Sequence, residues 1–244
     1  MMLITELNLK MKIKNNLPYK SIFKRGLLLR ENQNLNMISG VEIVVNDELP
    51  EHVNLSRVIN RVKKLFPSSF FDNMHKIIIG QQQEFIDRDV NAMYKDGILY
   101  ITHEQDDNAD LYDDIVHEIC HSVEEMHEHD VYGDGLLEDE FIRKRRFVLD
   151  MLAADGYNCS DIDASELKYS PKVDNFFHSE VGYRKLGNIT RDIFVSPYSI
   201  TSIREYWATA FENFWIKPDT RPFLKRSSPV LYQKIMRINK LHNL

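Results

Sequence analysis

His117-Glu118-Ile119-Cys120-His121 sets two histidines four residues apart. On an α-helix that spacing puts both on one face, close enough to share one metal ion. The glutamate after the first histidine turns to the same cleft, where it can take a proton from a metal-activated water. This HExxH pattern is the core of a zinc hydrolase, most often a peptidase. The chain has nine histidines, so the motif can arise by chance and its flanks matter. Asn108 and Asp110 offer a helix start, and Asp113 and Asp114 add negative charge to the early turns. Leu111, Ile115, Ile119 and Val123 follow as an apolar stripe at helical spacing, widened by Val116 and Cys120. The stripe anchors the helix in a core while the histidines beside it line a cavity.

Outward from this helix the pattern is strands before, helices after. Residues 41–45 alternate as a strand, closed by Asn46-Asp47 and Pro50. Asn54 or Ser56 caps a helix running to about residue 66, with Val58, Ile59, Val62 and Leu65 facing inward. Residues 75–79 form a short apolar strand stopped by Gly80. Asp96-Gly97 is a turn between strand-like runs at 90–94 and 98–102. Beyond the motif, Gly133-Asp134-Gly135 breaks the chain. A second long helix covers about 136–154 and ends at Gly156. Its Phe141, Val148, Leu149 and Leu152 face inward, and its Arg143-Lys144-Arg145-Arg146 run is expected to face solvent or acidic neighbours. Residues 157–195 give mixed signals and no assignment. A helix over 202–215 follows, then Pro218 and Pro222, then a last helix over 229–241. This order predicts an α+β fold, with residues 1–39 as an N-terminal extension and 40–244 as the catalytic domain.

The 244 residues suffice for a sizeable core without disulfide staples, and 43% hydrophobic with 28% charged residues is an ordinary soluble composition. No apolar run has the length of a membrane span, and no signal peptide is recognised at the N-terminus. Only Cys120 and Cys159 are present, which suits a reducing compartment. A net charge of −6 gives no support for nucleic acid as the main partner. Lys10, Lys12, Lys14, Lys20, Lys24, Arg25 and Arg30 form a basic stretch without acids, read as solvated surface or a leader rather than a docking arm.

A catalytic zinc takes a third protein ligand and leaves one position for water. Three residues compete. Glu205 lies on the 202–215 helix, where Glu205, Ala208, Thr209 and Glu212 share a face and Trp207, Phe211, Phe214 and Trp215 can pack into the core; its plain alternative is a capping box with Ser202. His127 stands six residues after His121, but Glu124 between them favours a continued helix that carries His127 away from the metal. Asp130 lies near Tyr132-Gly133. His127 and Asp130 both read as an exposed polar helix end.

The segment Val195-Ser196-Pro197-Tyr198-Ser199-Ile200-Thr201-Ser202-Ile203-Arg204-Glu205-Tyr206-Trp207-Ala208 resembles the C-terminal catalytic domain of anthrax lethal factor and its relatives, the Pro-Pro endopeptidases and phage-encoded members among them. The tyrosine seven residues before the glutamate, then the aromatic pair and alanine, carry the likeness. Glu140 to Arg146, Asp174 to Phe177 and Val181 to Tyr183 extend it over roughly residues 40–240. The resemblance implies a zincin-like metallopeptidase fold, one Zn2+ per chain held by His117, His121 and Glu205, Glu118 as general base, and Tyr198 as a donor to the developing oxyanion. It also implies a protein or peptide substrate, paired to residues 98–102 as the edge strand before the zinc helix, and a cytoplasmic or virion-packaged protein. One departure is Thr209, where the family often has an acid that would support a ligand histidine; Glu212 or a backbone carbonyl can substitute. The competing readings are a catalytically silent zincin acting as a binding or virion component, which an intact Glu118 argues against, and a nucleic-acid-associated HExxH protein, which would need a zinc ribbon or basic module that two cysteines and the acidic charge do not provide.

Overall fold

The computed structural model describes residues 37–88 and 90–242. The basic stretch of residues 10–30 lies outside them. The chain divides after Met37, and everything below concerns the unit Ile38–Leu244 together with the first strand.

Among the described residues, five short strands form one sheet: β1 (Met37–Ile38), β2 (Val41–Val45), β3 (Lys76–Ile79), β4 (Ala92–Lys95) and β5 (Ile98–Ile101), in the order β1-β2-β3-β5-β4. β2, β3 and β5 run parallel, and β4 returns antiparallel to β5. The Asp96-Gly97 turn joins them with positive φ at both residues, the geometry of a tight two-residue hairpin. A Cβ on Gly97 would run into the His75 ring. This pairing corrects one expectation. Residues 98–102 do not form the edge strand; β5 is enclosed between β3 and β4, and β4 is the edge. The hairpin folds back towards the outside of the sheet, so the earlier of its two strands takes the open position.

Alternation along the strands buries Ile43, Ile77, Ile79, Leu99 and Ile101. Against β4 and β5 lies α3 (Asn108–Met126), and on it packs α1 (Leu55–Leu65), capped by Asn54 accepting from the Arg57 amide; α2 (Gln83–Arg88) is a short helix between β3 and β4. The cap of α3 is Asp107, which accepts from the amides of Ala109 and Asp110. Asn108 instead accepts from the Asn54 amide at 2.6 Å, and so fastens α3 to the start of α1.

The helical half follows: α4 (Glu128–Tyr132), α5 (Leu136–Ala154), α6 (Pro171–Asn175), a wide turn over Phe176–Val181, α7 (Tyr183–Thr190), a 3₁₀ turn over Pro197–Ile200, α8 (Ile203–Ile216), α9 (Arg221–Ser227) and α10 (Pro229–His242). The architecture is α+β, as the element order implied. The Arg143–Arg146 run departs from expectation. Four consecutive helical residues point in four directions; Lys144 and Arg145 fall on the inward stripe with Phe141, Val148 and Leu152, while Arg143 and Arg146 are exposed. Arg145 donates to the carbonyls of Glu166 and, at 2.8 Å, Thr201. Lys144 donates to Tyr206 Oη and Ser228 Oγ. Beside it Glu140 accepts from Tyr206 Oη and from the amides of Val230 and Leu231, capping α10. No helix among the described residues is long and apolar enough to cross a membrane.

Candidate metal centre

α3 has apolar contacts on nearly every side, through Leu111, Ile115, Val116, Ile119, Cys120 and Val123, all fully buried. Its remaining face presents His117, Glu118 and His121 to one cleft, and their donor atoms lie within 4.8 Å of one another. These three form a group that can hold a metal ion.

α8 packs across α3 and is fixed there by Trp207, whose Nε1 donates to the Cys120 carbonyl at 3.2 Å. The buried Ala208 lets the two helices approach. This crossing brings Glu205 over the histidines: Oε2 is 3.0 Å from His117 Nε2, and Oε1 is 3.4 Å from His121 Nε2. Ligand atoms about 2.0–2.1 Å from a tetrahedral zinc stand roughly 3.3 Å apart, so the carboxylate and the two ring nitrogens already have suitable spacing. Glu205 is therefore the carboxylate that bridges both Nε2 atoms, with Glu118 adjacent on α3. Ser202 Oγ does accept from the Glu205 amide at 3.2 Å. Only that half of a capping box forms, because the carboxylate faces the histidines.

Each imidazole is also held from behind. His117 Nδ1 meets Glu212 Oε2 at 3.2 Å, and His121 Nδ1 meets Glu124 Oε2 at 3.0 Å. A carboxylate on Nδ1 fixes the ring's orientation and leaves Nε2 as the metal-facing atom. Glu124 is itself buried and accepts from Tyr132 Oη and from Arg204 Nε, the latter at 3.2 Å. Thr209 reaches no histidine; its hydroxyl donates to the Glu205 carbonyl at 2.6 Å and lies 2.5 Å from Ser199 Oγ. The acid behind His117 is supplied one turn further along α8, by Glu212.

The electrostatics follow from this packing. Burial works against a charged His121, but Glu205 and Glu124 outweigh it and raise its pKa to about 9. For His117 burial is likewise overcome, by hydrogen bonds to Glu205 and Glu212. Burial would raise Glu205, yet the two imidazoles hold it well below the usual carboxylate range. Tyr198, on the 3₁₀ turn ahead of α8, lines the same cleft. Burial first, and then the Glu205 charge, push its hydroxyl far above the ordinary phenol value, so it stays a neutral O–H donor.

The cleft, about 360 Å³, is lined by Asn91, by Ala92 and Met93 of β4, and by Asp114, His117 and Glu118 of α3. Tyr169 and Arg204 also line it, and both continue into a neighbouring cavity. Sequence reasoning did not single out either residue. Tyr169 sits in the unassigned 157–195 segment, and Arg204 is one position from the proposed ligand. Glu124 was read only as a helix former, although its three-residue spacing from His121 was visible.

His127 and Asp130 stand outside the group that can hold a metal ion, and they are half-buried rather than an exposed helix end. His127 terminates α3 and sets its Nε2 2.7 Å from His242 Nε2; Asp130 pairs with Arg237 at 2.7 Å. Both dock α10. No known protein family, curated protein or solved structure matches the chain.

Proposed function

We propose that this chain is a zinc-dependent endopeptidase with a zincin-like fold. The observation that carries the reading is the Glu205 carboxylate set between the Nε2 atoms of His117 and His121, beside Glu118. Two imidazoles and one carboxylate, with both imidazoles backed by acids, are the nitrogen and oxygen donors zinc prefers in catalytic sites. Zinc held there would acidify a water and polarise the scissile carbonyl.

The chain's own residues do the rest. Glu118, 7% exposed at the floor of the cleft, accepts the proton of the attacking water and passes it to the leaving amine nitrogen. Tyr198 donates its hydrogen bond to the carbonyl oxygen as negative charge develops there. An extended peptide lies along the open side of β4 and takes main-chain hydrogen bonds from that edge. The resemblance to the lethal-factor catalytic domain points the same way, with the substrate-binding strand moved from residues 98–102 to β4.

The test is a peptide library digested with the zinc-loaded protein and read by mass spectrometry. Internal cleavage, lost in Glu118→Gln while zinc content is retained, is the expected result. Zinc bound at full occupancy with no cleavage of any library member would favour the silent, binding-only reading.

A further inference from the structure

Asp114 lies one turn before Glu118 on α3 and faces the same cleft. Its Oδ2 accepts from Gln105 Nε2 at 3.0 Å. Gln105 is 4% exposed and donates a second bond to the Thr102 carbonyl at the end of β5. The carboxylate is thus held by a buried, doubly bonded side chain anchored on the sheet, the kind of support that fixes a recognition group. Among the described residues, Oδ1 has no hydrogen-bond partner.

The charge of Asp114 is poorly compensated. No lysine or arginine among the described residues pairs with it. Its acidic neighbours are Asp110 and Glu118, and its positive neighbour is His117, already engaged by Glu205 and Glu212. Burial, more than these charges, raises its pKa to about 6. A half-buried carboxylate opening into a substrate cleft gains most from a cation brought by the ligand, through a charge-assisted hydrogen bond.

We infer that Asp114 selects substrates with a positive charge beside the scissile bond, its second oxygen binding a lysine or arginine side chain. This rests on the peptidase reading above. Residues of β4 line the same cleft as Asp114, and β4 packs on α3, so an extended peptide paired to that edge turns alternate side chains towards α3.

The test measures binding rather than turnover. Dipeptide hydroxamates carrying lysine or the uncharged isostere norleucine at either position, with free or acetylated amino termini, are titrated into zinc-loaded protein by calorimetry. The expected result is at least a tenfold preference for a cationic member in the wild type. A preference that vanishes when the amino terminus is acetylated would assign the charge to that terminus and overturn the inference. In Asp114→Asn, with fold and zinc content checked, the ratio should fall to about one. Asp113→Asn, the same charge change one residue away on the exposed face, should keep it. Equal wild-type affinities for lysine and norleucine compounds would overturn the inference and leave the peptidase reading standing, as would a preference that survives Asp114→Asn. Failure of any hydroxamate to bind would overturn both.

Discussion

Replacing Glu124 by glutamine tests the support behind the metal ligands. The carboxylate is 3% exposed and receives three donors: His121 at 3.0 Å, Arg204 at 3.2 Å, and Tyr132. Glutamine keeps the shape, removes the charge and replaces one acceptor oxygen with an N–H₂ donor. With its oxygen kept towards His121 and Arg204 and its N–H₂ turned to the Tyr132 hydroxyl, which can accept, the amide keeps the contacts but not the negative charge that held His121 and Arg204. Loss of an outer-shell partner of this kind costs about 10–100-fold in metal affinity, roughly 1.4–2.7 kcal/mol. Glu212 behind His117 is more exposed, at 22% against 4% for the Glu124 side chain. Solvent can replace part of its role, so Glu212→Gln should lose less than Glu124→Gln. The assay is competition for zinc against a chelator of known affinity, at fixed pH and salt, with circular dichroism to confirm the fold. Unchanged zinc affinity in a folded Glu124→Gln protein, or a larger loss in Glu212→Gln, would refute the reasoning.

Three further outcomes follow from the same geometry. Tyr198→Phe should lower kcat by about 10²-fold or more while leaving zinc content and KM nearly unchanged, as expected for a donor used mainly in the transition state; a pure KM effect in steady-state kinetics would contradict that role. Ala92→Pro removes one backbone donor from the β4 edge and should cost about 3–10-fold in kcat/KM, one hydrogen bond's worth, with no loss of zinc; unaltered peptide cleavage would place the substrate elsewhere. Lys144, 8% exposed, has its pKa lowered to about 7 by burial. Between about pH 7 and its unfolded value near 10.5 the unfolded chain binds the extra proton, so this residue's share of stability rises with pH. His121, raised to about 9, acts in the opposite sense over its own range, so the effect is read as a difference. Lys144→Met should be more stable than the wild type at pH 7 in urea unfolding, and that advantage should shrink by on the order of 2–3 kcal/mol by pH 9.5. A pH-independent difference would mean that Lys144 is solvated.

The strongest sequence signals were local ones. The apolar stripe around HExxH placed α3, and the Asp96-Gly97 turn placed the β4–β5 hairpin, because helix period and turn chemistry act over a few residues. Which hairpin strand took the edge was not legible, since it depends on β5 pairing with β3 across more than twenty residues of chain. Lys144 and Arg145 were misread because a run of like charges suggests solvent, whereas the inward stripe of α5 runs through both. The support around the site was partly hidden for a similar reason. Arg204 and Tyr132 reach Glu124 only after α8 and α4 have packed on α3, and Tyr169 comes from a segment with no periodic pattern. Glu205 was singled out by the resemblance to the lethal-factor domain, which carries a tyrosine seven residues earlier, and the structure sets it against both histidines.

The central claim is that His117, His121 and Glu205 together hold zinc. The most direct measurement is metal analysis of the wild type and of Glu205→Ala, with the fold of each confirmed. Near one zinc per chain in the wild type and a marked loss in a folded Glu205→Ala is the result this account requires. Full zinc occupancy in Glu205→Ala would remove Glu205 as a ligand and contradict the account.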